Sequence, residues 1–137
     1  MNATRFLDTN ILLYAYDRDR PARRSAALRL AEQGWSAPGQ TAVSVQVLQE
    51  MQVNLEKRGV AKPEAARIIH DYAPWPVADN SLKILLSAQE ERTRWRLSLW
   101  DALILAAARA SGASEIFTEE FNHGQDYGGI RAINLFR

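Results

Sequence analysis

Four acidic residues stand out in this sequence because of the segments around them. Asp8 closes a short apolar segment and is followed directly by polar residues. Asp101 is the only charged residue between Leu97 and Ala108. A carboxylate placed in apolar surroundings is unfavourable unless it is paired, hydrogen-bonded or bound to a metal. We therefore expect Asp8 and Asp101 to meet compensating partners supplied by other parts of the chain.

Two glutamates give weaker signals when each is taken alone. Glu50 lies at the border of the apolar stripe of a predicted helix, with Gln46 and Asn54 one turn away on either side. Glu120 follows Thr118 at the end of a β segment, where acids are common in loops. Considered together with Asp8 and Asp101, the two glutamates gain significance, because all four acids can converge on one edge of the sheet. Their mutual repulsion would then be compensated by a hard divalent cation such as Mg²⁺ or Mn²⁺.

The composition limits the chemistry that is available. The sequence has no cysteine, which excludes disulfides, thiolate metal sites and cysteine nucleophiles. A metal must therefore be held by oxygen, or by His70 or His123. Hydrophobic residues make up 47% and charged residues 24%, which is typical of folded globular domains. We expect no membrane span and no signal peptide, and hence a cytoplasmic protein.

Periodicity and breaker residues predict short strands alternating with helices. The predicted strands cover residues 5–8, 41–44, 116–118 and 132–135. The predicted helices cover residues 22–33 with Gly34 as the stop, 45–58 with Gly59 as the cap, 62–73, about 81–91, and 98–111 with Gly112 as the stop. The last of these is apolar nearly all round, so we expect it to be central and buried.

This alternation favours a parallel α/β sheet with helices on both faces, formed by a single domain of residues 1–137. Sites in such sheets lie beyond the C-terminal ends of the strands, where Asp8 is expected. Asp101 has a second interpretation, because Ser98 and Asp101 fit the S-x-x-D form of a helix capping box. The two interpretations are compatible.

Four blocks of sequence together resemble the PIN domain, specifically the VapC-type toxins of bacterial toxin–antitoxin pairs. They are FLDTNILLYAYD, SVQVLQEM, SLWDALILAAA and FTEEFNHGQDYGGIRAINLF, and the match covers nearly the whole chain. The resemblance implies a three-layer α/β/α fold, with a short central parallel sheet flanked by helices. It assigns the family's first three acids to Asp8, Glu50 and Asp101. Glu120 takes the fourth position, where the family usually has aspartate.

The resemblance further implies a Mg²⁺- or Mn²⁺-dependent endoribonuclease that leaves 5′-phosphate and 3′-hydroxyl ends. The four acids would be both catalytic and metal-binding, with Thr9, Asn10, Thr118 and Asn122 as supporting polar residues. The implied partners are an RNA substrate, a cognate VapB-type antitoxin and a second copy of the chain in a homodimer. The alternative is a PIN-like module that binds RNA or protein without cutting, because Glu120 spoils the metal site.

The segment RTRWRLSLW is the best local candidate for contact with RNA. Arg92, Arg94 and Arg96 alternate, so in an extended segment they would point to one side, with Trp95 and Trp100 available for base stacking. The competing interpretation is an arginine-rich loop with Trp95 packed inward. His123, in a loop that contains glycine, is expected to be structural or merely exposed.

Overall fold

A computed structural model describes residues 3–137, which form five strands and six helices. In chain order the elements are β1 (Arg5–Leu7), α1 (Thr9–Tyr14), α2 (Pro21–Ser36), β2 (Thr41–Ser44), α3 (Val45–Lys57), α4 (Lys62–Asp71), β3 (Val77–Ala78), α5 (Leu82–Trp95), α6 (Leu99–Ala110), β4 (Glu115–Phe117) and β5 (Arg131–Ile133). Of the expected domain of residues 1–137, residues 1 and 2 lie outside the described part.

The strands form one sheet in the order β3-β2-β1-β4-β5, and every neighbouring pair is parallel. The central strand β1 has β2 on one side and β4 on the other, with Arg5 opposite both Thr41 and Glu115. The helices flank this sheet, which confirms the predicted parallel α/β architecture of the PIN-like type. Since all strands run in the same direction, the segments that follow β1, β2 and β4 emerge at one edge.

The core lies where the central strands meet the helices. Phe6 of β1, Val43 of β2 and Ile116 of β4 are fully buried. Helix α6 is buried along most of its length, as its nearly uniform apolar sequence predicts, and it packs against α5 and β2. The packed core therefore fixes the strand ends that lead to Asp8 and Thr118.

The helix predicted over residues 22–33 does not stop at Gly34, so that prediction is wrong. Helix α2 continues through Gly34 to Ser36. A Cβ atom at Gly34 would lie 2.1 Å from Cζ2 of Trp75. The glycine therefore allows close contact between the helix backbone and a buried indole ring, which is a tertiary requirement and no signal of a helix end. Trp75 is only 4% exposed, so the surrounding atoms prevent its ring from moving away from Gly34.

The extended conformation in which Arg92, Arg94 and Arg96 would point to one side is not formed. Helix α5 runs to Trp95, so Arg92 and Arg94 lie in its last turn. Arg96 caps the helix in the left-handed conformation with a φ of 56°, and its backbone N–H donates to the carbonyl of Arg92. Two further elements, α1 and β3, were not predicted from the sequence.

Candidate active site

Asp8 is held at the junction between β1 and α1. It is the N-cap residue of α1, and its Oδ1 accepts a hydrogen bond from the backbone N–H of Thr9 at 2.7 Å. Its Oδ2 accepts a second hydrogen bond from Oγ1 of Thr118 at 2.8 Å. The residue is only 5% exposed. Burial raises the pKa of Asp8 to about 6, more than these two bonds lower it, and the charges of Glu50 and Glu120 raise it further.

Thr118 connects two of the acidic segments. Besides donating to Asp8, its Oγ1 accepts a hydrogen bond from the backbone N–H of Glu120 at 3.0 Å. The carboxylate of Glu120 in turn accepts a hydrogen bond from Nδ2 of Asn10 at 3.3 Å. The other amide atom, Oδ1 of Asn10, is buried without a hydrogen-bond partner among residues 3–137. A buried acceptor left in this way is suited to a ligand or a water that donates to it.

Glu50 lies on α3, which begins directly after β2. Ser44 caps this helix by accepting a hydrogen bond from the backbone N–H of Val47 at 3.1 Å. Nε2 of Gln46 donates to the carboxylate of Glu50 at 3.3 Å and to the backbone carbonyl of Trp100 at 3.4 Å. Partial burial raises the pKa of Glu50, and the nearby charge of Asp101 adds to this rise, while the Gln46 bond lowers it.

Asp101 lies in the first turn of α6, which starts at the same edge. Oγ of Ser98 accepts a hydrogen bond from the backbone N–H of Asp101 at 3.1 Å, so the predicted helix cap is confirmed. Partial burial raises the pKa of the Asp101 carboxyl, and the Ser98 hydroxyl lowers it. The cap does not remove Asp101 from the candidate site, because Asp101 lines the same cleft as the other three acids.

The four acids meet on one cleft of about 220 Å³. Among the described residues that line it, none carries a positive charge; the lining consists of Asp8, Thr9, Asn10, Leu13, Gln46, Glu50, Asn54, Trp100, Asp101, Ile104 and Glu120. The pKa values of three of these carboxyls, Asp8, Glu50 and Asp101, are raised. The cleft therefore gathers negative charge that its own side chains do not neutralise.

Other residues predicted for the site lie outside this lining. The amide of Asn122 donates to Oε1 of Gln125 at 2.8 Å within its own loop. Nδ1 of His123 accepts a hydrogen bond from the backbone N–H of Asn134 at 2.9 Å, so this imidazole is engaged in loop structure. Of the predicted acids and supporting polar residues, six line the cleft, Thr118 joins them through its hydrogen bond to Asp8, and Asn122 lies apart.

Arg92, Arg94 and Arg96 also lie outside the lining of the cleft. The guanidinium of Arg94 stacks over the ring of Trp95 at 4.5 Å. Trp95 packs against Tyr127, with ring centroids 5.2 Å apart. The three arginines are exposed at the end of α5, where contact with an RNA strand that continues beyond the cleft remains a prediction.

The donor chemistry of the cleft fits a hard divalent cation. Its charged donors are all carboxylate oxygens, and the orphaned Oδ1 of Asn10 adds a neutral one. Within residues 3–137, however, no three Asp, Glu or His side chains lie close enough to form a ready-made ligand set. Glu50 and Glu120 are exposed and can change rotamer, whereas Asp8 is fixed by its two hydrogen bonds.

Sequence reasoning missed the bridge made by Gln46. Its spacing from Glu50 was visible, but its bond to the backbone of Trp100 joins α3 to α6 across the cleft. Such a contact between distant segments leaves no local pattern. Leu13 and Ile104 were likewise not assigned to the cleft, which they line with apolar side chains.

Comparisons with known proteins agree with this geometry. A family model described as the PIN domain matches residues 5–123. Ribonuclease VapC24 of Mycobacterium tuberculosis is 32% identical over 134 residues, which cover 89% of this chain and 90% of the relative.

Among solved structures, a toxin–antitoxin complex from Klebsiella pneumoniae matches with a TM-score of 0.67 and 25% identity, covering 96% of this chain and 98% of the other. VapC20 of Mycobacterium tuberculosis, described as a sarcin–ricin loop cleaving toxin, shares the fold with a TM-score of 0.64 and 22% identity, over 87% of this chain and 90% of its own. The four acids line one cleft at an edge of the parallel sheet, the family model matches residues 5–123, and the alignment with VapC24 covers about nine tenths of both chains. This chain therefore belongs to the PIN-domain family.

Proposed function

We propose that this chain is a VapC-type toxin, a divalent-metal-dependent endoribonuclease that hydrolyses RNA phosphodiester bonds. One observation carries the proposal. Four carboxylates from four separate segments meet on one cleft, around a buried Asp8 whose pKa is raised to about 6. Such concentrated, uncompensated charge is costly for folding, so it is expected where a bound cation and a phosphate are to be handled.

Asp8 and Asp101 would hold the ion, with Glu50 and Glu120 ligating directly or through water. When bound, Mg²⁺ or Mn²⁺ neutralises charge on a phosphate and lowers the pKa of a coordinated water. The ionised forms of the four acids are the ones that ligate. Because burial raises the pKa of Asp8 to about 6, its carboxylate form is fully present only above that pH.

The residues around the acids orient them. Thr118 and the backbone N–H of Thr9 hold both oxygens of Asp8, so its carboxylate presents one fixed direction. Asn10 holds Glu120, and Gln46 keeps Glu50 beside the start of α6. Attack by water on phosphorus, in line with the departing 3′ oxygen, breaks the bond from phosphorus to that oxygen. The products carry a 5′-phosphate and a 3′-hydroxyl.

The proposed partners follow from the relatives. Solved neighbours include a toxin–antitoxin complex from Klebsiella pneumoniae and DNA-bound VapBC from Salmonella typhimurium. We extend this to a VapB-type antitoxin and a homodimer for the present chain. Helices long and apolar enough to cross a bilayer do not occur among residues 3–137. The cytoplasm, where cellular RNA lies, is the proposed location.

A second candidate function is a PIN-like module that binds RNA or protein without cutting. Two observations favour it: Glu120 stands where the family usually has aspartate, and residues 3–137 contain no compact ligand set. In this case the cleft would still bind a partner, but no hydrolysis would follow.

The experiment that separates the two functions is cleavage of total cellular RNA by the purified chain free of antitoxin. The reaction is run with Mg²⁺ and with Mn²⁺, beside an EDTA control and the Asp8→Asn variant. Discrete fragments with 5′-phosphate ends, lost in both controls, support the nuclease. Folded protein that binds RNA without cutting it in either metal supports the non-catalytic module.

A further inference from the structure

Trp100 stands immediately before Asp101 and is 66% exposed, although it is the largest kind of apolar side chain. It lines the acidic cleft and also a neighbouring groove of about 290 Å³. Trp35, Trp75 and Trp95 each pack against another aromatic ring. Within residues 3–137 the ring of Trp100 has no aromatic partner of this kind, so its face is available for stacking.

The neighbouring groove has an apolar floor and a polar rim. Leu82, Leu85 and Leu103 supply apolar surface beside Trp100. At the rim, Nδ2 of Asn80 donates to Oε1 of Gln49 at 3.0 Å. The remaining amide atoms of this pair, the NH₂ of Gln49 and the carbonyl of Asn80, form no other side-chain hydrogen bond in the described part of the chain. They offer one donor and one acceptor, the combination that the edge of a nucleobase presents.

The groove and the acidic cleft are adjacent, because Gln46 and Trp100 line both. We propose that the groove is a base-binding subsite: one unpaired base of a single-stranded RNA stacks on Trp100 while the adjoining phosphate lies in the acidic cleft. This inference rests on the proposed nuclease function. It adds Trp100 as the residue that positions the RNA strand relative to the acidic cleft. Stacking on an aromatic side chain tolerates every base, and the Gln49–Asn80 pair supplies a preference among bases.

A protein partner is the competing occupant, since exposed leucines often mark protein interfaces. The side-chain amides of the groove and its position beside the acidic cleft favour RNA. Leu86, on the same helix α5, is 59% exposed yet does not line the groove. It therefore provides a matched control, because a protein that covers this face would bury Leu86, whereas a base in the groove would leave it free.

The test uses binding and cleavage of one short single-stranded RNA and of versions with a single abasic nucleotide at each position beside the cleaved bond. Binding is measured on the unchanged chain with Mg²⁺ present, using RNA in which a methylene group replaces the departing 3′ oxygen, so that the bond cannot be cut. We expect Trp100→Ala to weaken binding of the intact RNA by about 5- to 150-fold, the range for loss of one base stack, and Trp100→Phe to retain most of it. Leu86→Ala should bind as the parent does.

The abasic series locates the effect. One abasic position should weaken binding to the parent chain as strongly as Trp100→Ala does, and the two changes together should cost no more than either alone. Equal responses to all positions, or full affinity in Trp100→Ala, overturn the subsite while cleavage by the wild-type chain still supports the nuclease. A change in assembly mass for Trp100→Ala and Leu86→Ala, with RNA affinity unaltered, assigns the surface to a protein partner. Failure of the parent to bind RNA removes both proposals.

Discussion

Oγ1 of Thr118 donates a hydrogen bond to Oδ2 of Asp8 at 2.8 Å, and the two residues are 110 positions apart in the sequence. They follow β4 and β1, which are neighbouring parallel strands. The same hydroxyl accepts a hydrogen bond from the backbone of Glu120. The buried side chain of Thr118 thus fixes the direction of the Asp8 carboxylate and the start of the segment that carries Glu120.

Thr118→Val is expected to lower RNA cleavage by about 10- to 100-fold, the usual effect of removing a group that orients a metal ligand. It should also lower the free energy of unfolding by about 1 to 3 kcal/mol, because the buried carboxylate loses a hydrogen bond. Initial cleavage rates and urea denaturation measure the two effects. Thr118→Ser keeps the hydroxyl and should retain most of the activity; equal losses in both variants would mean that side-chain packing at this position, and not the hydroxyl, carries the effect.

Asp8→Asn is expected to abolish cleavage and yet stabilise the metal-free chain at neutral pH. The pKa of Asp8 rises from 3.8 to about 6 on folding, so its ionised form opposes folding. One pKa unit corresponds to about 1.36 kcal/mol, so above pH 6 the ionised Asp8 lowers the free energy of unfolding by roughly 3 kcal/mol. The wild-type chain should regain that stability as the pH falls from 6 to 4, in addition to the pH dependence that the raised pKa values of Glu50 and Asp101 give to both chains.

Urea denaturation in EDTA at pH 4, 6 and 8 measures this difference. The free energy of unfolding of Asp8→Asn should exceed that of the wild type most at pH 8, and the difference should vanish near pH 4. Added Mn²⁺ provides the control, since it should stabilise the wild-type chain and leave Asp8→Asn nearly unchanged. A variant less stable than the wild type at pH 8 in EDTA would mean that the charge of Asp8 is compensated within the protein.

Gln46→Leu is expected to slow cleavage about tenfold with little change in stability. Gln46 bridges Glu50 and the backbone of Trp100, and its bond lowers the pKa of Glu50. Without that bond the pKa of Glu50 rises further, so the acidic limb of the pH–rate profile should move to higher pH. The profile of kcat against pH measures this shift.

Gln52→Leu is the matched control for this prediction, because Gln52 donates to Glu56 at 3.3 Å on the same helix but outside the cleft. Its cleavage rate and pH profile should match the wild type. If both variants lost activity equally, the effect would belong to helix α3 and the bridging role of Gln46 would be wrong.

Calorimetric titration with Mn²⁺ tests the role of Glu120. We expect the wild-type chain to bind the ion, Glu120→Gln to bind about tenfold more weakly, and Asp8→Asn to show no measurable heat. Glu120 is exposed and adjustable, so Glu120→Asp should differ from the wild type by only a few-fold. Binding that appears only in Glu120→Asp would favour the non-catalytic module, with Glu120 as the cause.

Gly34→Ala is expected to destabilise the chain by about 1 to 3 kcal/mol without altering the chemistry of the cleft. The added methyl group would lie 2.1 Å from the Trp75 ring, which is buried and cannot move away freely. Thermal unfolding measures the loss, and cleavage per folded molecule should be unchanged. Glu32→Ala, at an exposed position of the same helix, should stay within about 0.5 kcal/mol of the wild type.

The sequence was most informative where a local pattern and a tertiary role coincide. Strand β2 was predicted with its observed bounds, and the cap formed by Ser98 was visible in the spacing to Asp101. The convergence of four acids followed from parallel topology, because the ends of such strands meet at one edge. Each of these features depends on periodicity or on chain direction, and both can be read along the sequence.

The errors share a different origin. Gly34 looks like a helix stop, but the ring that requires it belongs to Trp75, which is distant in sequence. The helix α1 is only six residues long and apolar, so no helical period could emerge from it. Arginines 92, 94 and 96 alternate in the sequence, yet α5 continues through the first two because its packing against α6 outweighs a local preference.

The acids of the cleft lie at the junction after β1, on the third and sixth helices and in the segment after β4, so only a fragment that spans Asp8 to Glu120 carries all four. During synthesis a ribosome-bound chain would carry Asp8, Glu50 and Asp101 outside the exit tunnel before the segment with Thr118 and Glu120 follows. Until that segment joins the sheet, Asp8 lacks its buried hydrogen-bond partner. A nuclease folded in this order would gain its fourth carboxylate, and the fixed direction of Asp8, only once the segment after β4 has joined the sheet.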